Sequence, residues 1–227
     1  MSKKTNPVIQ SWAENAAKWI DLIENDKIES RKLVTNAAIL KTVLEHNPQK
    51  VLDVGCGEGW LVDTLSHRNI QCVGLDAVSA FIERAQKKRK GVFLHLSYQQ
   101  ICEGAFVEGA PFDLICMNFS LFENKKSKRL LSHLKKWLKK EGSMVIQTVH
   151  PIEVCENEPY KSGWRKDSWR GLEEEFRTAY KWYFRTFENW SVLFQSVQLE
   201  LISIQEPVHP KTERPLSVIF VLRKSRS

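Results

Sequence analysis

Residues 51–61 read V-L-D-V-G-C-G-E-G-W-L, and no other stretch restricts the fold and chemistry of this 227-residue chain as much. A short apolar run ends at Asp53. Three glycines follow at alternate positions, Gly55, Gly57 and Gly59, and then a helical pattern begins. The run is of the continuously apolar kind that parallel strands use when buried on both faces. Glycine in such a turn lets bare backbone come close to a ligand. The stretch therefore predicts a strand, a ligand-facing turn and a helix, with the ligand at the carboxyl end of the strand.

The rest of the chain extends this unit. Apolar runs predict further strands at 71–75, 92–96, 112–117 and 143–149, after a first strand at 50–55. Helical patterns fall between them at about 59–68, 78–89 and 127–140. The alternation implies βαβ units and a Rossmann-like α/β sheet covered on both faces. Two more strands, 197–205 and 216–223, flank E-P-V-H-P-K-T-E-R-P, whose prolines rule out a helical crossover. These two strands are expected to pair antiparallel as a hairpin with a long loop.

Two segments lie outside this core. Trp12, Ala16, Trp19, Ile20 and Ile23 share one face of a helix, and a second helix over 31–45 ends near Asn47-Pro48. They are expected to pack on the sheet edge, to cover the ligand as a lid, or both. Residues 150–190 carry Trp164, Trp169, Tyr180, Trp182, Tyr183, Phe184, Phe187 and Trp190 among charges. The segment is too long for an ordinary loop and too aromatic for a disordered one. The chain thus reads as one domain over 1–227. Its parts are a helical cap (8–45), a ligand-binding core (46–149), a substrate-cap insertion (150–190) and a C-terminal strand pair (191–227).

Composition narrows the setting. No run of about 18 apolar residues is present, so no membrane-spanning helix is expected. The basic N-terminus lacks the apolar stretch of a secretory signal. Five dispersed cysteines without a C-x-x-C pair point to reduced thiols and a cytoplasmic location. The His and Cys spacing supports no metal site. The net charge of +7 gathers at 87–90, 125–129 and 135–140. These are solvated helix faces or an electrostatic footprint for RNA or an anionic substrate. The lack of aromatics interleaved with the basic runs counts against RNA. No feature specifies an oligomeric state.

The turn itself discriminates among nucleotide ligands. G-x-x-x-x-G-K-[ST] is absent, so a P-loop is unsupported. A dinucleotide fold prefers G-x-G-x-x-G with a pyrophosphate at the helix N-terminus. Here the pattern is D-x-G-x-G-x-G, with Asp53 before the glycines and Glu58 inside the turn. Two carboxylates oppose a pyrophosphate and suit a ligand of positive character, such as one with an ammonium and a sulfonium. Asp76, in V-G-L-D-A at 73–77, ends the second strand 21 residues after Gly55. A carboxylate there can accept hydrogen bonds from both hydroxyls of a ribose. Its alternative role is to cap the following helix.

With these residues in place, the chain resembles the class I S-adenosylmethionine (SAM)-dependent methyltransferases over nearly its whole length. V-L-D-V-G-C-G-E-G resembles the first motif of that family, and G-L-D-A the acidic end of its second strand. P-F-D-L-I-C-M-N-F at 111–119 resembles the fourth strand, and E-G-S-M-V-I-Q at 141–147 the fifth with its preceding glycine turn. The resemblance implies a seven-stranded, mostly parallel sheet with an antiparallel last strand. It implies that the backbone at Gly55, Cys56, Gly57, Glu58 and Gly59 passes the methionine part of SAM. Asp76 and Ala77 would then face the ribose side, and Asn118 and Phe119 would lie beneath the methionine moiety. Many members carry an acidic residue after the third strand that bonds the adenine amino group. This chain has H-L-S-Y-Q-Q-I at 95–101, so Ser97 or the backbone of Tyr98 must substitute. W-A-E-N-A-A-K-W at 12–19, K-I-E-S-R at 27–31, Q-T-V-H-P at 147–151, G-W-R-K-D-S-W at 163–169 and W-Y-F-R-T at 182–186 resemble a bacterial subgroup of small-molecule methyltransferases.

The expected activity is therefore methyl transfer from SAM to a small-molecule acceptor at O, N or C, leaving S-adenosylhomocysteine. An RNA nucleoside methyltransferase, a non-enzymatic SAM-binding regulator and an NAD-dependent reductase stand as alternatives. His150, directly after the fifth strand, is the candidate general base; its other role is to cap the strand or pack against Pro151. Trp164, Trp169 and Trp182 are candidates to wall a flat acceptor, or else belong to the core of the cap. Tyr183 and Arg185 are further acceptor contacts. Arg185 would pair with a carboxylate or phosphate of the acceptor, or with a neighbouring Glu. Arg31, between the two N-terminal helices, would bind the methionine carboxylate if the cap closes over the site.

Overall fold

The structure, a computed structural model, describes residues 6–156, 158–166, 169, 172 and 176–225. Asp167 and Ser168 of the 163–169 segment lie outside the described residues, as does most of the basic N-terminus. Two helices, α1 (Pro7–Glu14) and α2 (Ala16–Glu24), come first. A π-helical turn (Arg31–Thr35) then runs into α3 (Asn36–Glu45). The alternating core follows: β1 (Lys50–Val54), α4 (Trp60–Ser66), β2 (Gln71–Asp76), α5 (Ser79–Lys88), β3 (Val92–His95), α6 (Tyr98–Cys102), β4 (Phe112–Asn118), α7 (Lys125–Lys136) and β5 (Leu138–Val149). The insertion contributes α8 (Pro151–Val154) and the short strands β6 (Gly163–Arg165) and β7 (Trp182–Phe184). The chain ends with α9 (Phe187–Ser196), β8 (Leu199–Gln205) and β9 (Ser217–Lys224).

The main sheet has seven strands in the order β3-β2-β1-β4-β5-β9-β8. Strands β1 to β5 are mutually parallel, and β9 runs antiparallel to both β5 and β8. The Rossmann-like sheet with an antiparallel last strand is thus the observed fold. Successive strand residues point to opposite faces, and both faces are covered. Leu52, Ile115 and Ile146 pack toward Ile101, Leu130, Leu134 and Phe194 of α6, α7 and α9. Val51, Leu114 and Val145 pack toward Ile39, Leu61 and Ile82 of α3, α4 and α5. That two-sided burial is why β1 reads as a continuous apolar run. The order places the carboxyl ends of β1 and β4 side by side, with the glycine turn above them.

Two elements differ from their sequence expectations. Strand β5 begins at Leu138 rather than 143, because Leu138 pairs with Phe112 before the register shifts between Phe112 and Leu114. The preceding helix α7 accordingly stops at Lys136. The helix expected through 12–23 is broken at Asn15, whose φ of −103° and ψ of 4° leave the α region. Its Nδ2 donates to the carbonyls of Ser11 (2.8 Å) and Arg177 (2.7 Å), and its Oδ1 accepts from the Arg177 amide at 2.8 Å. Asparagine side chains compete in this way with helical backbone bonds. Here the exchange ties the N-terminal helices to the insertion. Two further bonds repeat the tie: Trp169 Nε1 donates to Ser11 Oγ and Trp12 Nε1 to the Tyr180 hydroxyl, both at 3.1 Å.

All five cysteines are free. Among the described residues, no helix is long and apolar enough to cross a membrane, and no cluster of His, Cys, Asp and Glu suits a metal ion.

Candidate functional site

All three turn glycines hold positive φ, +82° at Gly55, +56° at Gly57 and +85° at Gly59. They hold it for different reasons. A Cβ on Gly55 would run into the Cβ of Ser120, so this glycine lets the turn pack on the loop after β4. A Cβ on Gly57 would meet nothing within 4 Å. Gly57 instead lines a cavity of about 860 Å³, in the size range of ligand pockets. Four amides of the turn are tied down: Gly55 N (2.7 Å) and Cys56 N (2.9 Å) donate to the carbonyl of Leu75, Gly57 N to Asp76 Oδ2 (2.9 Å) and Gly59 N to the carbonyl of Cys56 (3.1 Å). Cys56 is buried, and burial pushes its thiol well up, so it stays protonated and serves as packing against Gly74.

Acidic and basic side chains converge below the turn. Asp53 and Glu58 are almost fully buried, and burial raises both carboxyls. Asp53, with Asp76 and Glu58 close by, is pushed up to about 8. Arg31 comes from the π-helical turn, a local widening often found at functional sites. Its guanidinium sits between the rings of Trp19 (5.6 Å) and Trp60 (5.4 Å). Burial lowers its pKa, against the pull of Glu58, Asp26 and Asp53.

Buried polar atoms in proteins nearly always have a partner. Here Arg31 Nη2, Thr35 Oγ1, Asp53 Oδ1, Glu58 Oε1 and Asn118 Oδ1 have none among the described residues. All five residues line this cavity. Its polar end is therefore built for a ligand that brings donors to the carboxylates and an acceptor to the guanidinium. The ammonium and carboxylate of an amino-acid group meet both requirements. Beside this cluster, Phe119 holds φ +49°, a conformation costing a non-glycine residue about 1 kcal/mol or more, and its amide donates to the Gln147 carbonyl at 2.9 Å.

The second strand ends in the same cavity. Asp76 Oδ1 accepts from Val78 N and Oδ2 from Gly57 N, each at 2.9 Å. Burial pushes its carboxyl up to about 6 against those bonds. Ala77, Ser97 and Tyr98 continue the wall. Ser97 caps α6 through a reciprocal capping box with Gln100, and the Tyr98 hydroxyl donates to the Ser120 carbonyl at 2.9 Å. Another part of the lining is aromatic, with Trp12, Phe122, Trp169, Tyr180 and Trp182 from four separate segments. Trp12 and Trp169 meet edge-to-face at 4.6 Å.

Some expected site residues are not brought here. His150 is buried and does not line the cavity. Its Nδ1 accepts from Ile152 N at 3.2 Å as the cap of α8, and its Nε2 pairs with Glu206 Oε1 at 2.7 Å. Both ring nitrogens are occupied. Trp164 is exposed and meets Tyr183 edge-to-face at 5.4 Å, and neither lines the cavity. Arg185 is buried behind the wall, between the rings of Tyr183 and Trp190, and among the described residues pairs with no carboxylate. Its Nη2 donates to the carbonyls of Glu123 (2.6 Å) and Asn124 (3.2 Å) and to Ser127 Oγ (3.1 Å). Part of the basic surface has similar structural duties, since Arg129 and Lys135 donate to the carbonyls of Cys102 and Val197. Conversely, the sequence reading missed Thr35, Trp60 and Glu123. Only Trp60 carried a signal, as the residue directly after the third glycine.

Comparison with known proteins bears on this site. A family model described as a methyltransferase domain matches residues 26–204. A malonyl-[acyl-carrier protein] O-methyltransferase of Paenibacillus sp. (strain JDR-2) is 28% identical over 132 residues, 53% of this chain and 48% of that protein. A demethylmenaquinone methyltransferase of Thermotoga maritima is 27% identical over 124 residues, 50% of this chain and 49% of that one. The chain thus spans about half the length of these curated relatives. Among solved structures, Burkholderia thailandensis 1,6-didemethyltoxoflavin-N1-methyltransferase, with 1,6-didemethyltoxoflavin and S-adenosylhomocysteine bound, aligns at a TM-score of 0.67 and 15% identity over 97% of this chain and 88% of its own. A SAM-dependent methyltransferase of Clostridium acetobutylicum aligns at 0.65 and 13% identity, over 94% and 99%. The structural likenesses carry the fold and the family match carries the family: the chain belongs to the class I SAM-dependent methyltransferases.

Proposed function

We propose that this enzyme methylates a small, flat acceptor held against the aromatic end of the cavity. The supporting observation is that a single cavity joins the polar cluster at the glycine turn to the wall of Trp12, Phe122, Trp169, Tyr180 and Trp182. These rings meet edge-to-face or tilted, and a flat ligand ring can pack against such faces and edges in the same geometries. In this reading the whole chain acts as one domain, with 8–45 and 150–190 as a joint cap.

The residues fit the cofactor. Asp76 would hold the ribose hydroxyls, with Ala77, Ser97 and Tyr98 toward the adenine. The backbone at 55–59 would pass the methionine part, with Asn118 and Phe119 on its other side. Asp53 and Glu58 would face its positive groups, and Arg31 its carboxylate. When bound, SAM supplies a methyl group activated by a positive sulfur, so transfer needs placement and dryness more than a fixed acid or base. The cap serves dryness: α1 and the insertion close one wall through the Ser11–Trp169, Trp12–Tyr180 and Asn15–Arg177 bonds. We assign His150 and Arg185 to structure, and place Trp164 and Tyr183 behind the acceptor wall.

Calorimetric titration with S-adenosylhomocysteine is expected to give one-site binding, and titration with NADH none. The reverse pattern would sink the reading. Gly57→Val places a branched side chain in open cavity at a left-handed position. It is expected to weaken S-adenosylhomocysteine binding about tenfold or more, roughly 1.4 kcal/mol. Unchanged affinity would show that the ligand does not approach this backbone.

A further inference from the structure

The aromatic wall explains a flat acceptor but not which atom of it is recognised. His150 does not reach the cavity, so a polar contact to the acceptor has to come from the cavity lining itself. We propose that Glu123 is that group, and that it selects acceptor rings carrying an N–H or O–H donor. The proposal rests on the methyltransferase reading above and deepens it.

Glu123 lies on the loop between β4 and α7, directly after the wall residue Phe122. Its carboxylate lines the cavity and is 17% exposed. The Phe122 ring packs against those of Tyr180 (6.2 Å) and Trp182 (6.3 Å), which sets Glu123 at the edge of the aromatic end. The residue is held from two sides. Its main-chain carbonyl accepts from Arg185 Nη2 at 2.6 Å and also from Ser127 Oγ. Its Oε1 accepts from Asn6 Nδ2 of the N-terminal cap at 2.6 Å and from Lys126 Nζ at 3.4 Å, and its Oε2 lies 3.3 Å from the same Lys126 Nζ. A carboxylate offers about four lone-pair sites, so these two side chains leave capacity for a ligand donor.

The other cavity carboxylates are committed elsewhere. Asp53, Glu58 and Asp76 belong to the turn end. Glu153 and Glu156 pair with Arg214, and Glu158 with Arg165, at the half-exposed rim. Among the described residues, Glu123 is therefore the sheltered carboxylate at the aromatic end. It would accept from a phenol, an aniline or a ring N–H. It would repel a ring bearing a carboxylate, and would gain nothing from a purely apolar ring.

The test uses the full chain loaded with S-adenosylhomocysteine and four ring probes: phenol, aniline, toluene and benzoate. Saturation-transfer NMR is expected to show phenol and aniline binding about tenfold better than toluene and benzoate, the scale of one hydrogen bond to a charged group. In Glu123→Ala, phenol and aniline should fall to the level of toluene, while Glu123→Gln, which keeps an acceptor oxygen, retains part of the preference. Calorimetry should find S-adenosylhomocysteine affinity unchanged in both variants. Phenol binding that survives Glu123→Ala would overturn the proposal, as would toluene or benzoate binding as well as phenol, or no probe binding at all. Failure of the wild-type chain to bind S-adenosylhomocysteine would instead overturn the methyltransferase reading. The substitution leaves in place the backbone carbonyl that Arg185 holds, and a melting temperature for Glu123→Gln close to wild type checks the fold.

Discussion

Replacing Asp76 with Ala is expected to lower SAM affinity by about 10- to 150-fold, the 1.5–3 kcal/mol of hydrogen bonds to a charged group. Two backbone amides already fix the carboxylate, one from the turn (Gly57) and one from the start of α5 (Val78). Each oxygen thus has a set direction and a further lone pair to offer. The group is pre-organised, so little ordering cost is charged to the ligand. The same bond latches Gly57, so the alanine variant also frees the turn that faces the cavity. Asparagine is not a mild replacement, because its amide NH2 would be set against one of the two backbone N–H groups. Calorimetry on Asp76→Ala, with melting temperature as the fold control, reads the loss. Unchanged affinity in a folded variant would mean that Asp76 is only the cap of its helix.

The parts of the site that were legible in the sequence are those made by neighbours in the chain. Residues 51–59 and 73–77 carry their geometry locally: a buried strand, glycines that accept positive φ, and a carboxylate at a strand end. Parallel pairing of Asp53 with Gly74 and Cys116 then brings them together without further information. The aromatic part of the lining is different. Trp12 reaches Tyr180 and Ser11 reaches Trp169 across more than 150 residues, and no local pattern encodes such contacts. His150 shows why position along the chain was a poor guide to role. It does follow β5 at the carboxyl end, but the short helix α8 uses its Nδ1 as a cap and the distant Glu206 takes its Nε2. Arg185 was expected to find an anion and instead holds the loop of Glu123 through carbonyls, a partner type that sequence does not mark. The break at Asn15 was hidden for a related reason: the helical apolar stripe continues through it, and its cause is the Arg177 backbone far along the chain.

The ligand-free enzyme is expected to lose thermal stability as pH rises from about 5 to about 8. Burial raises the carboxyl of Asp53 from 3.8 to about 8 and that of Asp76 from 3.8 to about 6, and raises Glu58 as well. In that window the folded state holds protons that the unfolded chain has released. Stability therefore falls with rising pH, and the loss is complete above about 8. Asp53 dominates the upper part of the window. An effect on the order of 3–5 kcal/mol corresponds to roughly 10 °C in melting temperature for a chain of this size. SAM brings an ammonium and a sulfonium, which favour the ionised carboxylates. Its affinity and the melting-temperature gain it confers should therefore be larger at pH 8 than at pH 5.5. Asp53→Asn removes the main titrating group and should flatten the ligand-free profile between pH 6 and 8. A wild-type profile that is flat or rises over this range would show that these carboxylates are paired or solvated, and that the polar end of the cavity does not store the charge strain that a cationic cofactor relieves.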